Sequence, residues 1–367
     1  MIILLSVLLL GCIEPAEFDV PPAESLLIIE GGISDQPGPY TVKVSRAIPL
    51  SADALNTPPV TDATIRLHDD LGNIEDFEET SPGIYETRGA IQGQVGRSYY
   101  ITVTTAEGEA FESLPEEIRP VGEVTEIRHE YVREREEDFF GEINKDYFNI
   151  YVNATQGDEN APYIRWRMTG TYKISTSPEL RETMYHPGAV PLKEPRPCSG
   201  YTTAVHPSGR GTIIVKVGEC TCCECYVDQF EQSPYISDIL LANNGEFNDV
   251  KVGQVAINSG TFMEKYMVTV EQMSISRAAF DFFKLIKIQK EEVGNIFQPN
   301  TGELIGNVKA LDPESRVIGL FWATSITSKI DFIEREDVPY GIPPFPVVEE
   351  SCLIEYRNST TEQPEAW

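Results

Sequence analysis

The sequence predicts a mainly β protein: an N-terminal immunoglobulin-like or transthyretin-like β-sandwich over residues 24–118, then a larger β-rich domain over residues 119–367 with one main helix near 276–293. Three observations carry this. Short runs of alternating apolar and polar residues recur between turn residues through the first third of the chain. Only the stretch after Ser276 places apolar residues convincingly at helical spacing. An apolar content of 41% over 367 residues is enough for two ordinary cores.

The chain opens with MIILLSVLLLGC. The apolar run Ile2–Leu10 is too short to span a bilayer, which takes about 20 residues, and it matches the apolar core of a secretion signal. Leu9-Leu10-Gly11-Cys12 resembles the bacterial lipobox, in which a small residue precedes a cysteine that is lipidated. On this reading residues 1–11 are a lipoprotein signal peptide and Cys12 carries the lipid. The basic segment that usually opens such a signal is missing, and a start upstream of Met1 would supply it. Two or three acyl chains, at about 0.8 kcal/mol per buried methylene, make anchoring effectively permanent. Residues 12–23 form a tether, because Pro15, Pro21 and Pro22 with Glu14, Glu17 and Asp19 favour an extended chain.

In the first domain, Ser25–Glu30 is a strand. In the next, Tyr40–Arg46, Tyr40, Val42 and Val44 share one face. Ala63–His68 places Ala63, Ile65 and Leu67 together, and Ser98–Thr104 does the same for Tyr99, Ile101 and Val103. Ile84–Thr87 and Ala110–Ser113 complete a pattern that fits an antiparallel sandwich. Asp69, Asp70, Glu75 and Asp76 lack calcium-loop spacing, which leaves them as a solvated hairpin tip.

In the second domain, Glu123–Val132 and Tyr147–Asn153 are long strands flanking a charged excursion, Arg133–Glu142. Tyr163–Ile174 opposes Ile164, Trp166 and Met168 to Tyr163, Arg165, Arg167 and Thr169. From Ser175 to Gly211, prolines forbid regular pairing. This begins a long Cys/Pro-rich loop, 175–225, of a length that is often functional. It contains Thr212–Val217 as a strand and ends in Cys220-Thr-Cys-Cys-Glu-Cys225. Cys198, Cys220, Cys222, Cys223, Cys225 and Cys352 are an even set in an exported chain and read as disulfides with open pairing. A thiolate metal site with His186 or His206 is the rival reading. Asp249–Ser259 and Tyr266–Gln272 are further strands. The helix follows, with Ser276 as N-cap, Gly294 beyond its end, and Ala279, Phe282, Phe283 and Ile286 as a core-facing stripe. Glu303–Leu311, Arg316–Thr324 and Ser328–Glu334 are strands, and a proline-rich tail is tied back by Cys352.

A net charge of −29 makes nucleic acid a poor partner. No nucleophile elbow, metalloprotease helix or phosphate loop is present, and the four histidines, His68, His129, His186 and His206, are scattered. No catalytic residue, cofactor or metal ligand is assigned. Tyr185, Tyr201 and Tyr226, in and beside the long loop, are the candidate contacts for ligand or partner.

Ile29-Glu-Gly-Gly-Ile-Ser-Asp-Gln-Pro-Gly-Pro-Tyr-Thr-Val-Lys-Val-Ser-Arg46, Val268–Ser276, Gly294-Asn-Ile-Phe-Gln-Pro, Leu304-Ile-Gly-Asn-Val and Arg316-Val-Ile-Gly-Leu-Phe-Trp-Ala resemble the lipoprotein family called domain of unknown function 4249. The resemblance implies a Bacteroidota outer-membrane lipoprotein associated with a TonB-dependent transporter, and it supplies no catalytic residues. The expectation is a non-enzymatic accessory or binding protein in nutrient uptake, facing either the cell surface or the periplasm. A structural or adhesive surface lipoprotein and an exported hydrolase are the alternatives.

Overall fold

Alternation along Leu26–Ser34, Thr41–Arg46, Thr64–Asp69 and Ser98–Thr104 gives each strand one apolar face, so two sheets must meet to dry both. They do so in a computed structural model that describes residues 26–47, 57–138, 141–157, 162–181, 193–237, 244–291 and 304–367. Residues 1–25, with Cys12 and the tether, lie outside the described residues, as do Tyr185, His186 and Gly294. The chain is mainly β, with one main helix, Arg277–Glu291. Leu27, Val42, Val44, Ile65, Leu67, Tyr99, Ile101 and Val103 form the sandwich core as the pattern requires. Of the acids expected at a solvated tip, Asp70 and Asp76 are exposed, but Asp69 and Glu75 are buried instead. Asp69 accepts from the Leu71 and Asn73 amides, and Glu75 from those of Arg88, Ala90 and Ile91, because loop backbone leaving the strands needs acceptors.

The sandwich does not end at residue 118. Arg316–Thr324 lies parallel to Leu26–Ser34, from Leu26 opposite Arg316 to Ser34 opposite Thr324. Val308–Ala310 pairs with Ala110–Ser113 in the other sheet. A contiguous first domain is therefore corrected: residues 308–324 complete it. The reason is that Arg316–Thr324 is apolar on both faces and needs a layer on each side. Phe321 and Ala323 enter the sandwich core, while Leu320 and Trp322 pack with Met273, Ile275, Ala279 and Phe283 beneath the helix. Gly32 sits opposite Trp322, where a Cβ would fall 2.6 Å from the indole ring. Of the expected strand Glu303–Leu311, Val308–Ala310 is strand, and Glu303 lies outside the described residues.

Two residues after Thr324, the chain enters Ile326–Ile333 in a different sheet, paired with Tyr266–Ser274. Ser274 and Ser325 both donate to the Arg119 carbonyl at 2.5 Å, clasping three segments at the junction. The second module packs two sheets face to face. One holds Val124–Asp138, Gly141–Thr155 and Glu246–Ala256. The other runs Ile326–Ile333, Tyr266–Ser274, Ile164–Ser175, Glu224–Phe230 and Ser359–Thr360, with Tyr235–Ile236 on the edge of Ile164–Ser175. Trp166 Nε1 donates to Gln272 Oε1 at 2.8 Å, and Gln272 Nε2 to the Thr155 carbonyl at 2.7 Å, so a buried polar chain links the sheets. The charged excursion is also corrected. It continues a single hairpin with pairing out to Asp138 opposite Gly141, since Arg133 faces Asp146 and Glu134 faces Lys145 across the strands. Within the expected irregular loop, Tyr201–Val205 pairs with Thr212–Lys216, and Pro207 falls in the turn between them, where it disrupts no ladder.

The helix forms as its caps and stripe require. Ser276 Oγ accepts from the Ala279 amide at 3.1 Å. Ala279 and Phe283 are buried, Phe282 and Ile286 partly so, against the junction of the two modules.

Candidate functional site

Between the two sheets of the second module lies a cleft of about 1010 Å³. Its lining is drawn from the base of the long hairpin, the end of Glu246–Ala256, the inner face of Ile164–Ser175, the segment after Glu224–Phe230, and residues 355–358. Tyr172 and Tyr266 are buried beside it with near-parallel rings 6.0 Å apart, and the Tyr266 hydroxyl donates to Gln229 Oε1 at 2.9 Å. Tyr266 reaches this position because Gly170 has no side chain; a Cβ there would lie 1.7 Å from the phenol oxygen. Tyr147, Tyr235 and Tyr356 are half-buried residues of the wall. Burial raises the phenols of Tyr172, Tyr235, Tyr266 and Tyr356, and a hydrogen bond to Glu134 pushes Tyr147 up to about 12. Like any tyrosine near neutrality, with an ordinary pKa of about 10, all five are neutral groups that both donate and accept.

The acids of the wall are largely committed. Glu231 follows Glu224–Phe230, where the chain leaves the edge of Ile164–Ser175 before rejoining it at Tyr235–Ile236. Its carboxylate pairs with Arg165 at 2.5 Å, yet burial outweighs that charge and raises its pKa. Asp228 accepts from Thr171 Oγ1 at 2.6 Å. Asp146 accepts from Arg133 Nε at 2.7 Å and the Tyr131 hydroxyl at 2.7 Å.

The Arg133 hydrogen bond holds the Asp146 carboxyl down at about 2, below its usual 3.8. A lowered carboxylate stabilises the fold above its ordinary pKa, and the benefit disappears as pH falls from about 4 towards 2. Asp146→Asn is expected to remove about 1 kcal/mol near neutrality, allowing for solvent around Arg133. Its denaturation midpoint should then depend less on pH across that acid range than the parent's. Urea titrations at stepped pH measure this, and parallel curves for the two proteins would refute it.

The six cysteines pair as Cys198–Cys222, Cys220–Cys223 and Cys225–Cys352. Disulfides are thus present as expected, and the sulfurs are spent on bridges rather than on the thiolate metal site weighed against them. Among the described residues no group of three His, Cys, Asp or Glu side chains is placed to hold a metal ion. The three described histidines serve locally: His68 stacks on Tyr100 at 4.6 Å, His129 lies 3.5 Å from Asp337, and His206 bonds Ser208.

Two of the three candidate contact tyrosines need correction. Tyr201 is 5% exposed and Tyr226 is 7% exposed, the latter with its ring edge against Trp367. Both are consumed by packing, because the bridges draw their strands onto the body. Tyr185 lies outside the described residues. The cleft tyrosines were missed because Tyr147, Tyr172 and Tyr266 occupy strand positions that read as core. A buried phenol calls for polar company, but tyrosine is no commoner than phenylalanine among the buried residues, so no sequence signal singles these positions out.

No curated protein matches the chain. A family match covers residues 13–330, which takes in the first module, the strand that crosses between the modules and most of the second. The chain therefore belongs to the family described as domain of unknown function (DUF4249).

Proposed function

We propose that the protein is a lipid-anchored, non-enzymatic binding protein of the outer membrane, which holds cargo in the cleft of the second module and passes it to a TonB-dependent transporter. The cleft carries this reading. It is of ligand size, at about 1010 Å³, and its tyrosines and amides suit reversible contact. Asp146, Asp228 and one oxygen of Glu231 are engaged by guanidinium or hydroxyl groups. Cys12 supplies the anchor and the tether supplies reach.

The experiment has two parts. Cys12→Ala should move the protein from the membrane to the soluble fraction; continued fractionation with the outer membrane would end the anchor reading. The native protein, extracted in mild detergent, should co-purify with a transporter β-barrel. Its recovery as a lone monomer would count against the handover.

A further inference from the structure

We infer that the cleft binds a neutral oligosaccharide. This rests on the binding reading above and specifies the chemical class of what is bound. A sugar ring offers apolar C–H faces and a rim of hydroxyls that both donate and accept. It needs flat aromatic surfaces beside neutral groups of mixed hydrogen-bonding character. The wall has both. Tyr147, Tyr235 and Tyr356 are half-buried, and the side chains of Asn144, Gln229, Gln232, Gln254, Asn258 and Asn358 are exposed around them. Each amide brings one acceptor and two donor hydrogens, and the phenols are uncharged near neutrality, as tyrosines with an ordinary pKa of about 10 are.

Unspent hydrogen-bonding capacity also sits in this wall. Glu231 Oε2 and Ser233 Oγ are buried and have no hydrogen-bond partner among the described residues, although Glu231's side chain is only 9% exposed. An acceptor and a hydroxyl of this kind match a polyhydroxyl ligand once the Glu231–Ser233 segment yields.

Charge narrows the class. Lys145 and Arg357 in the wall are outnumbered by Asp146, Asp228, Glu231 and Glu355, and the whole chain carries −29. Anionic saccharides and nucleotides are therefore disfavoured. A peptide recognised by strand addition needs an open sheet edge. On the six-stranded side Ser359–Thr360 already pairs with Tyr226 and Val227 of Glu224–Phe230, which shortens the open edge there. Glu246–Ala256 is the edge of its own sheet, so a peptide is the rival to test.

The test uses the detergent-solubilised full chain and titration calorimetry. The probes are neutral hexasaccharides of glucose, xylose, mannose and N-acetylglucosamine, the acidic hexagalacturonate, and a tryptic digest of casein. Saturable binding of a neutral hexasaccharide is expected. Tyr356→Ala and Gln254→Ala should each weaken it about tenfold or more, while Tyr356→Phe, which keeps the ring, retains most of it. Circular-dichroism melts of the three variants establish that they fold. Binding of only hexagalacturonate or digest peptides, weakened by the same variants, would overturn the saccharide class and leave a binding cleft standing. Neutral binding indifferent to both alanine variants would overturn the site. No saturable binding by any probe would overturn this inference and the cargo reading together.

Discussion

Removing the Cys225–Cys352 bridge by the double substitution Cys225→Ala/Cys352→Ala should lower stability by about 4–5 kcal/mol, the largest loss expected from any one covalent link. The bridge joins residues 127 apart in sequence, and the chain entropy that it removes from the unfolded state grows with that span. Both cysteines are fully buried. The same relation assigns only about 1.5 kcal/mol to Cys220–Cys223, whose residues are 3 apart. Denaturant unfolding of the two double-alanine variants measures the difference. Equal losses would refute the loop-closure account. The large bridge also fixes the C-terminal tail, where the Cys352 amide bonds the Cys222 carbonyl at 3.3 Å and Tyr356 and Asn358 line the cleft. Its removal should therefore loosen the cleft wall as well as destabilise the fold.

Asn307→Ala should cost about 3–5 kcal/mol, more than any exposed polar substitution. Asn307 is 1% exposed and makes three hydrogen bonds. Its Nδ2 donates to Glu116 Oε1 at 2.9 Å and to the Phe321 carbonyl at 2.7 Å, and its Oδ1 accepts from the Phe321 amide at 2.9 Å. Alanine leaves a buried carboxylate and both polar groups of a buried peptide without these partners, each at roughly 1–3 kcal/mol, partly relieved by relaxation. Burial already raises the Glu116 pKa, so part of the loss should be recovered at mildly acidic pH, where that carboxyl takes up a proton. Because Asn307 docks the crossing strand, hydrogen exchange along Arg316–Thr324 should quicken in the variant. A loss below about 1 kcal/mol with unchanged exchange would show that the strand holds its place without this residue.

The cleft and the crossing strand were legible to different degrees. Arg316-Val-Ile-Gly-Leu-Phe-Trp-Ala-Thr324 announces a strand buried on both faces, yet hydrophobicity has no address, and nothing local says that its partner is Leu26–Ser34. Tyr147, Tyr172, Tyr235, Tyr266 and Tyr356 are far apart along the chain and converge only when the two sheets pack. Tyr201 and Tyr226 show the converse: a tyrosine beside a proline-rich loop looks available for contact until disulfides draw it under the surface.

What the sequence determined by itself is what near neighbours decide. Period-two alternation set the strands and their inward faces, turn residues set their ends, and Ser276 with the stripe behind it set the helix, since each depends on dihedrals and contacts within a few residues. Tertiary structure alone decided the partner of each sulfur, the sharing of residues 308–324 with the first module, the hairpin that continues through the charged stretch, and the assembly of the cleft. These are choices among distant partners of equal local merit, and only the simultaneous burial of all the apolar faces distinguishes them.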